Sequence, residues 1–232
     1  MALLTSGYNN SAQTDYHTSR VVPSDESVIF AAAVVFPYTA TVTYVAGNGI
    51  GLPILTTSVP IPFGATASLY VFEGLCFSYI YDVVTFRCSD DATGLIWAIF
   101  EATDLQTIGP LRMKTLYQSM AGRGSWISSL TSTLPFAAAD PMNSMVLVTA
   151  STSGPPTVAA PWQVLVDVDG GALGVWLSVR WANTTTTTVS ATFPATEHHF
   201  GYVHSEIAAF KSDRIIKETT YYPTLGGTST NQ

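Results

Sequence analysis

Three histidines and two glutamates crowd into "TEHHFGYVHSE", Thr196 to Glu206. Imidazole and carboxylate together are zinc-binding chemistry. Adjacent side chains of an extended segment point to opposite faces, which works against His198 and His199 sharing one ion. A contact surface sensitive to protonation is the better reading of His198, His199 and His204, because histidine changes charge between pH 5 and 8. "DVDGG" spaces Asp167 and Asp169 like the opening of a calcium loop, but the third ligand and the closing glutamate are missing. It reads as a strand ending in a turn.

"GNGIG", Gly47 to Gly51, has the glycines of a phosphate cradle, but "LPILTTSVPIPFG" follows with three prolines. A cradle needs a helix N-terminus at that point, so this is a wide loop. In "GRGSW", Ser125 lacks the glycine that follows a serine-protease nucleophile, and His17 with the late histidines is out of productive order. No catalytic residue, cofactor or metal site is therefore assigned, and an enzyme is not expected.

The elements that would position these residues are strands. Segments rich in Val, Ile, Thr, Phe, Tyr and Trp alternate with Gly, Pro, Asn and Asp. The spacing predicts strands at Ser27–Phe36, Ala40–Val45, Ser68–Phe72, Cys76–Cys88, Gly94–Glu101, Trp126–Thr133, Met145–Ser151, Trp162–Val168, Leu173–Trp181 and Thr185–Phe193. "RCSDDATG" is a loop between two of them. The prolines of "STSGPPTVAAP" bar it from a central strand. A helix is expected at Pro110–Met120, with Pro110 in its first turn, and another at Ser205–Glu218. The five threonines of "VRWANTTTTTVSATFP" lie between apolar runs, unlike a mucin-like stalk. They read as a strand entered by a turn at Ala182–Asn183. The sequons at Asn9 and Asn183 are expected to be chance matches.

Composition narrows the class. Of 232 residues, 47% are hydrophobic and 11% charged, with net charge −7. That charge is less than half of the roughly 25% usual for soluble domains, so much surface should be covered by partners or coated with hydroxyls. Basic residues are scattered singly apart from Lys211, Arg214 and Lys217, which disfavours sequence-specific nucleic-acid binding. The longest apolar run, Val28 to Val45, is broken by Pro37, so no membrane span is expected. The N-terminus lacks the pattern of a signal peptide, and Cys76 and Cys88 read as buried thiols.

Taken in order, these segments resemble the jelly-roll capsid proteins of picorna-like viruses, small icosahedral positive-strand RNA viruses. "YDVVTFRCSDDATGLIWAIFEA" is similar to that family's paired C and D strands, and "WISSLTSTLPFAAADP" to its E strand. "MVLVTAS", "PWQVLVDVD" and "VWLSVRWAN" fall where strands F, G and H would follow, with the threonine run as strand I. The resemblance implies an all-β fold, an eight-stranded antiparallel jelly-roll sandwich over residues 25–194, with arms at 1–24 and 195–232. It implies a structural protein that co-assembles with other capsid proteins of one virus around an RNA genome, in the host cytoplasm, with at most non-specific RNA contact. An insect host is the expectation, and the receptor is not readable. Gln232 matches the residue after which this group's polyprotein proteases cut. The alternative is a jelly-roll carbohydrate-binding, lectin-like module.

Overall fold

The computed structural model describes residues 1–24, 27–47, 50–51, 61–63, 67–76, 82–102, 111–121, 127–134, 144–197 and 199–209. Apart from one 3₁₀ turn at Gly171–Leu173, its elements are all strands, in four antiparallel sheets. Sheet A runs β1 (Ala2–Asn9), β9 (Gly94–Ala102), β3 (Val28–Phe36) and β7 (Ala67–Cys76), with the short β5 (Ile50–Gly51) and β6 (Ile61–Phe63) beside β7. Sheet B is β2 (Asp15–Val21), β8 (Asp82–Cys88) and β4 (Val42–Ala46). Sheet C is β10 (Leu111–Ala121), β17 (His199–Ala209), β12 (Ser144–Ser151), β15 (Trp176–Asn183) and β14 (Gln163–Asp169). Sheet D is β11 (Ile127–Thr133), β16 (Thr188–Glu197) and β13 (Thr157–Val158). Among the described residues no helix is long and apolar enough to cross a membrane.

The four sheets stack in the order B, A, C, D because three hydrophobic cores separate them. Successive residues of a strand face opposite ways, and β3 shows what that demands here. Its Phe30, Ala32, Val34 and Phe36 join Val146, Val148, Leu177 and Val179 in the core between A and C. Its Ile29, Ala31, Ala33 and Val35 meet Tyr16, Val84 and Phe86 between A and B. A strand buried on both faces reads as an unbroken apolar run. Alanine predominates mid-strand where two sheets press from both sides. On the far side, Leu130, Val189, Ala191 and Phe193 close D over Leu147 and Tyr202 of C.

The chain traces one strand pattern twice. Sheets A and B have the order β1-β9-β3-β7 above β2-β8-β4; sheets C and D have β10-β17-β12-β15 above β11-β16-β13. Matching β1 with β10, β3 with β12, β7 with β15 and β9 with β17 superposes the two orders. The stacking obeys the same exchange: β1 lies beside β14 while β6 lies beside β10, and β7 meets β17 while β9 meets β15. The halves are related as by a two-fold axis between β3 and β12, the arrangement that an isologous contact gives two separate subunits.

Several expectations change. Seventeen strands are found among the described residues, against eight expected. Of the helix expected at Pro110–Met120, Leu111–Met120 is strand and Pro110 lies outside the described residues: Leu111 to Ala121 pairs residue for residue with β17, and a continuous ladder outweighs the helix propensity of its Leu, Met and Lys. Ser205–Ala209, placed in a second helix, belongs to β17; Phe210–Glu218 lies outside the described residues. Ala182 and Asn183 end β15 rather than forming the turn, which falls on the threonines, where the Thr186 amide donates to Thr184 Oγ1 at 3.0 Å. The hydroxyl closes a local turn that a backbone carbonyl would otherwise close. Cys76 and Cys88 end different strands, in different sheets. The first twenty-four residues, expected as an arm, supply edge strands to A and B. Tyr16 is 0% exposed, its hydroxyl donates to the Ser11 carbonyl at 2.9 Å, and Arg87 grips Asp15 with two bonds of 2.8 and 3.0 Å.

The glycines of "DVDGG" seat the second half on the first. A Cβ on Gly170 would lie 2.4 Å from Ile96 Cδ1 and 2.7 Å from the Val175 carbonyl oxygen, whereas one on Gly174 would meet nothing within 4 Å. Gly174 has φ of 68°, which costs an alanine about 1 kcal/mol by backbone strain. Gly170→Ala is expected to lose about 1–3 kcal/mol by overpacking and to melt below Gly174→Ala in a thermal scan. The reverse order would mean that the turn does not press on β9.

Candidate functional site: a polar seam beneath sheet D

The inward faces of B and D cover different chemistry. Toward B, sheet A presents Ile29, Ala31, Ala33, Val35, Tyr70, Phe72, Leu95, Trp97 and Ile99. The corresponding face of sheet C, under D, carries Thr149, Ser178, Arg180, Tyr202 and His204, all buried. Strand register sets their order. Leu147 lies opposite both Arg180 and His204, and Thr149 opposite both Ser178 and Tyr202. The row Ser178–Thr149–Tyr202 is therefore polar across three strands, and in the row beside it Arg180 and His204 flank Leu147.

At one end of the seam is an ion pair. Arg180 Nη1 donates to Asp167 Oδ1 at 2.6 Å and Nη2 to Oδ2 at 3.1 Å, a bidentate fork. Nη2 also donates to the Pro156 carbonyl at 2.9 Å, and Nη1 to the Val179 carbonyl at 3.2 Å. One guanidinium thus ties β14, β15 and the connection before β13 together. At the other end His204 is 0% exposed. Its Nδ1 lies 3.0 Å from Ser132 Oγ on β11, and its ring is tilted against Trp162 at 5.9 Å. Among the described residues, His204 Nε2, Thr149 Oγ1 and Ser178 Oγ are buried with no hydrogen-bond partner.

The residues singled out from the sequence are not brought together. Asp167 is held by Arg180, while Asp169 Oδ1 accepts from the Gly171 amide at 2.8 Å, so the pair does not converge on a cation. His199 begins β17 opposite Ala121; its side chain lies outside the described residues, as do His198, Ser125 and Gln232 entirely. Gly51 lies in β5, a strand rather than a helix start. Cys88 is a free, buried thiol pushed up to about 12 by desolvation. His204 does not fit the contact-surface expectation, because it is sealed in the interior. No group of three metal-ligating side chains occurs among the described residues. Sequence reasoning missed Ser132, Thr149 and Ser178: hydroxyls in strands look alike until pairing shows which face they take.

Ser132 and His204 stand at the distance of a nucleophile and its base. Ser132 is itself buried, however, and no carboxylate orients the ring among the described residues. What the seam can do is respond to protons. Burial pushes His204 down to about 4 from its ordinary 6.5.

The unfolded chain therefore takes up the proton first as pH falls. Stability is lost from about pH 6.5 downward and the loss levels off near pH 4, amounting to roughly 3 kcal/mol from this one group. His204→Gln keeps a partner for Ser132 without the titration. Its denaturant stability is expected to fall less than wild type between pH 7 and 4, by about that amount. Parallel curves would show that His204 does not hold the neutral form. Set against protein-family models, curated proteins and solved structures, the chain matches none.

Proposed function

We propose that the chain is a structural subunit of a non-enveloped icosahedral RNA-virus capsid, and that each half of it is a jelly roll. The observation that carries this reading is the strand order. Numbering the strands of the first half one to eight, with β5 and β6 together as the fifth, gives one sheet in the order one-eight-three-six and a facing sheet two-seven-four. That is the order of a long antiparallel hairpin rolled on itself: one pairs eight, two pairs seven, three pairs six, and rolling adds eight to three and seven to four. The second half repeats it. The fifth strand departs, pairing with the sixth in both halves. Jelly rolls are a recurrent capsid architecture; the strand assignments of the sequence resemblance differ from this reading, since β8 and β9, likened to paired C and D strands, are the seventh and eighth strands of the first half and lie in different sheets.

The outer surface suits a subunit that packs among relatives. Sheet D's solvent face is a lattice of hydroxyls, Thr133 to Thr188 at 2.9 Å and Thr131 to Ser190 at 3.0 Å. Leu3, Tyr8, Val22, Tyr38, Tyr44, Val83 and Val164 stand exposed. Interface cores are likewise poor in charge. The exposed tyrosines are also what a lectin-like module would use to stack on sugars, but Tyr8, Tyr38 and Tyr44 are spread over β1, the connection after β3, and β4.

The test is co-expression with the proteins encoded on either side, followed by sedimentation and electron microscopy. Closed shells or pentamers are expected. A protein that stays small in every combination and binds glycans on an array would overturn the capsid reading in favour of the lectin.

A further inference from the structure

Sheet edges attract foreign strands, and proteins guard them with bulges, charges or short length. Among the described residues every long edge but one is broken. The ladder of β1 slips between Leu3 and Thr5, that of β2 between His17 and Arg20, that of β4 between Val42 and Tyr44, and that of β14 between Val164 and Val166. The β11 ladder slips between Ile127 and Ser129. The remaining edges, β5, β6 and β13, are two or three residues long. The four central ladders, β3 with β7 and β9 and β12 with β15 and β17, have no slip. Irregularity is confined to edges, which marks it as protective.

β10 is the exception. It pairs β17 over eleven residues without a slip, and among the described residues no strand pairs its other side. It contains no proline, and its only charges are Arg112 and Lys114. We infer that the free edge of β10 docks against the same edge of a second copy of this chain, forming a two-fold antiparallel pair that joins two C sheets into one. The occupant follows from the other edges. Within an identical copy, β10 is the one described edge that is both long and regular, so the matching surface is β10 itself, and such a contact is isologous.

Charge narrows the register, and centring on Leu116 pairs the full length of the strand. Pairing centred on Leu116 sets Arg112 opposite Met120 and Lys114 opposite Gln118, with no like charges opposed. Centring it three residues earlier sets Arg112 against Lys114 twice over, which is unfavourable. The two basic residues thus exclude a competing alignment while leaving the symmetric one open. This contact stands independently of the capsid reading, since it needs only two copies of the chain.

The experiment is sedimentation equilibrium of the full chain and three variants, with far-UV circular dichroism to establish that each keeps the β fold. Gln118→Glu places a carboxylate opposite Lys114 of the second copy, at two symmetric positions, and is expected to tighten the dimer roughly three- to tenfold. Gln118→Lys is expected to weaken it by a similar factor, and adding Lys114→Glu to Gln118→Lys should restore it. A chain that stays monomeric at high micromolar concentration, or a dimer whose dissociation constant ignores all three changes, overturns the proposal. Shells that form with a charge-insensitive dimer refute this contact alone; a charge-sensitive dimer that never forms shells refutes only the capsid reading.

Discussion

The central strands of sheets A and C have almost no solvent-facing side, and that two-sided burial governs the rest of the molecule. Along β9 and β12 every residue is buried, so a polar atom there must be met from within or left without a partner, as Thr149 Oγ1 and Trp97 Nε1 are. The strands answer mainly with Ala, Val, Ile, Leu and Phe. Among the residues whose burial is described, the charged groups inside the stack are Glu101 of β9, which accepts from Ser24, and Arg180 of β15, which is paired with Asp167. A four-layer stack therefore has a low charge fraction even before any partner covers it. Part of the apolar excess that suggests assembly is absorbed inside a single chain.

The doubled strand order lets one chain do this. A single two-layer sandwich leaves one face of each sheet to water. Two sandwiches that share their larger sheets bury both, and the exchange of β1 with β10 and β6 with β14 brings edge over edge. Within that symmetry the halves diverge in chemistry. The interior under B is aromatic and aliphatic, with Phe86 tilted against Trp97 at 6.4 Å. The interior under D holds an ion pair, a buried histidine and unpaired hydroxyls. Buried polar groups without partners weaken a core, and in the second sandwich the buried His204 adds a loss of stability as pH falls.

Much of the sheet was legible in the sequence. β9, β12 and β15 fall where apolar runs predict them, because strands buried on both faces leave little room for ambiguity. The loop Ser89–Thr93 and the turn after Asp169 were readable from their Asp and Gly. What failed depended on pairing at a distance. Leu111–Ala121 carries good helix formers, and only β17 alongside makes it a strand, although its alternation of Leu111 and Met113 with Arg112 and Lys114 was a usable signal. Residues 2–9 show no core pattern of their own, since as an edge strand they borrow order from β9. The threonine run was placed in the right region but misdivided, since β-branched residues suit a strand while their hydroxyls also close turns. The polar seam was invisible, because the facing of Ser132, Thr149 and Ser178 is set by register.

Shared burial between A and C is the central claim, and hydrogen exchange tests it most directly. Amides of residues 28–36 and 94–102 from the first half, and of 144–151 and 176–183 from the second, should be the slowest in the protein. They should exchange in one cooperative opening whose free energy is that of global unfolding. If one half instead opens fully while the other remains protected, at pH 7 where His204 is neutral, the two sandwiches do not share a core and the account fails.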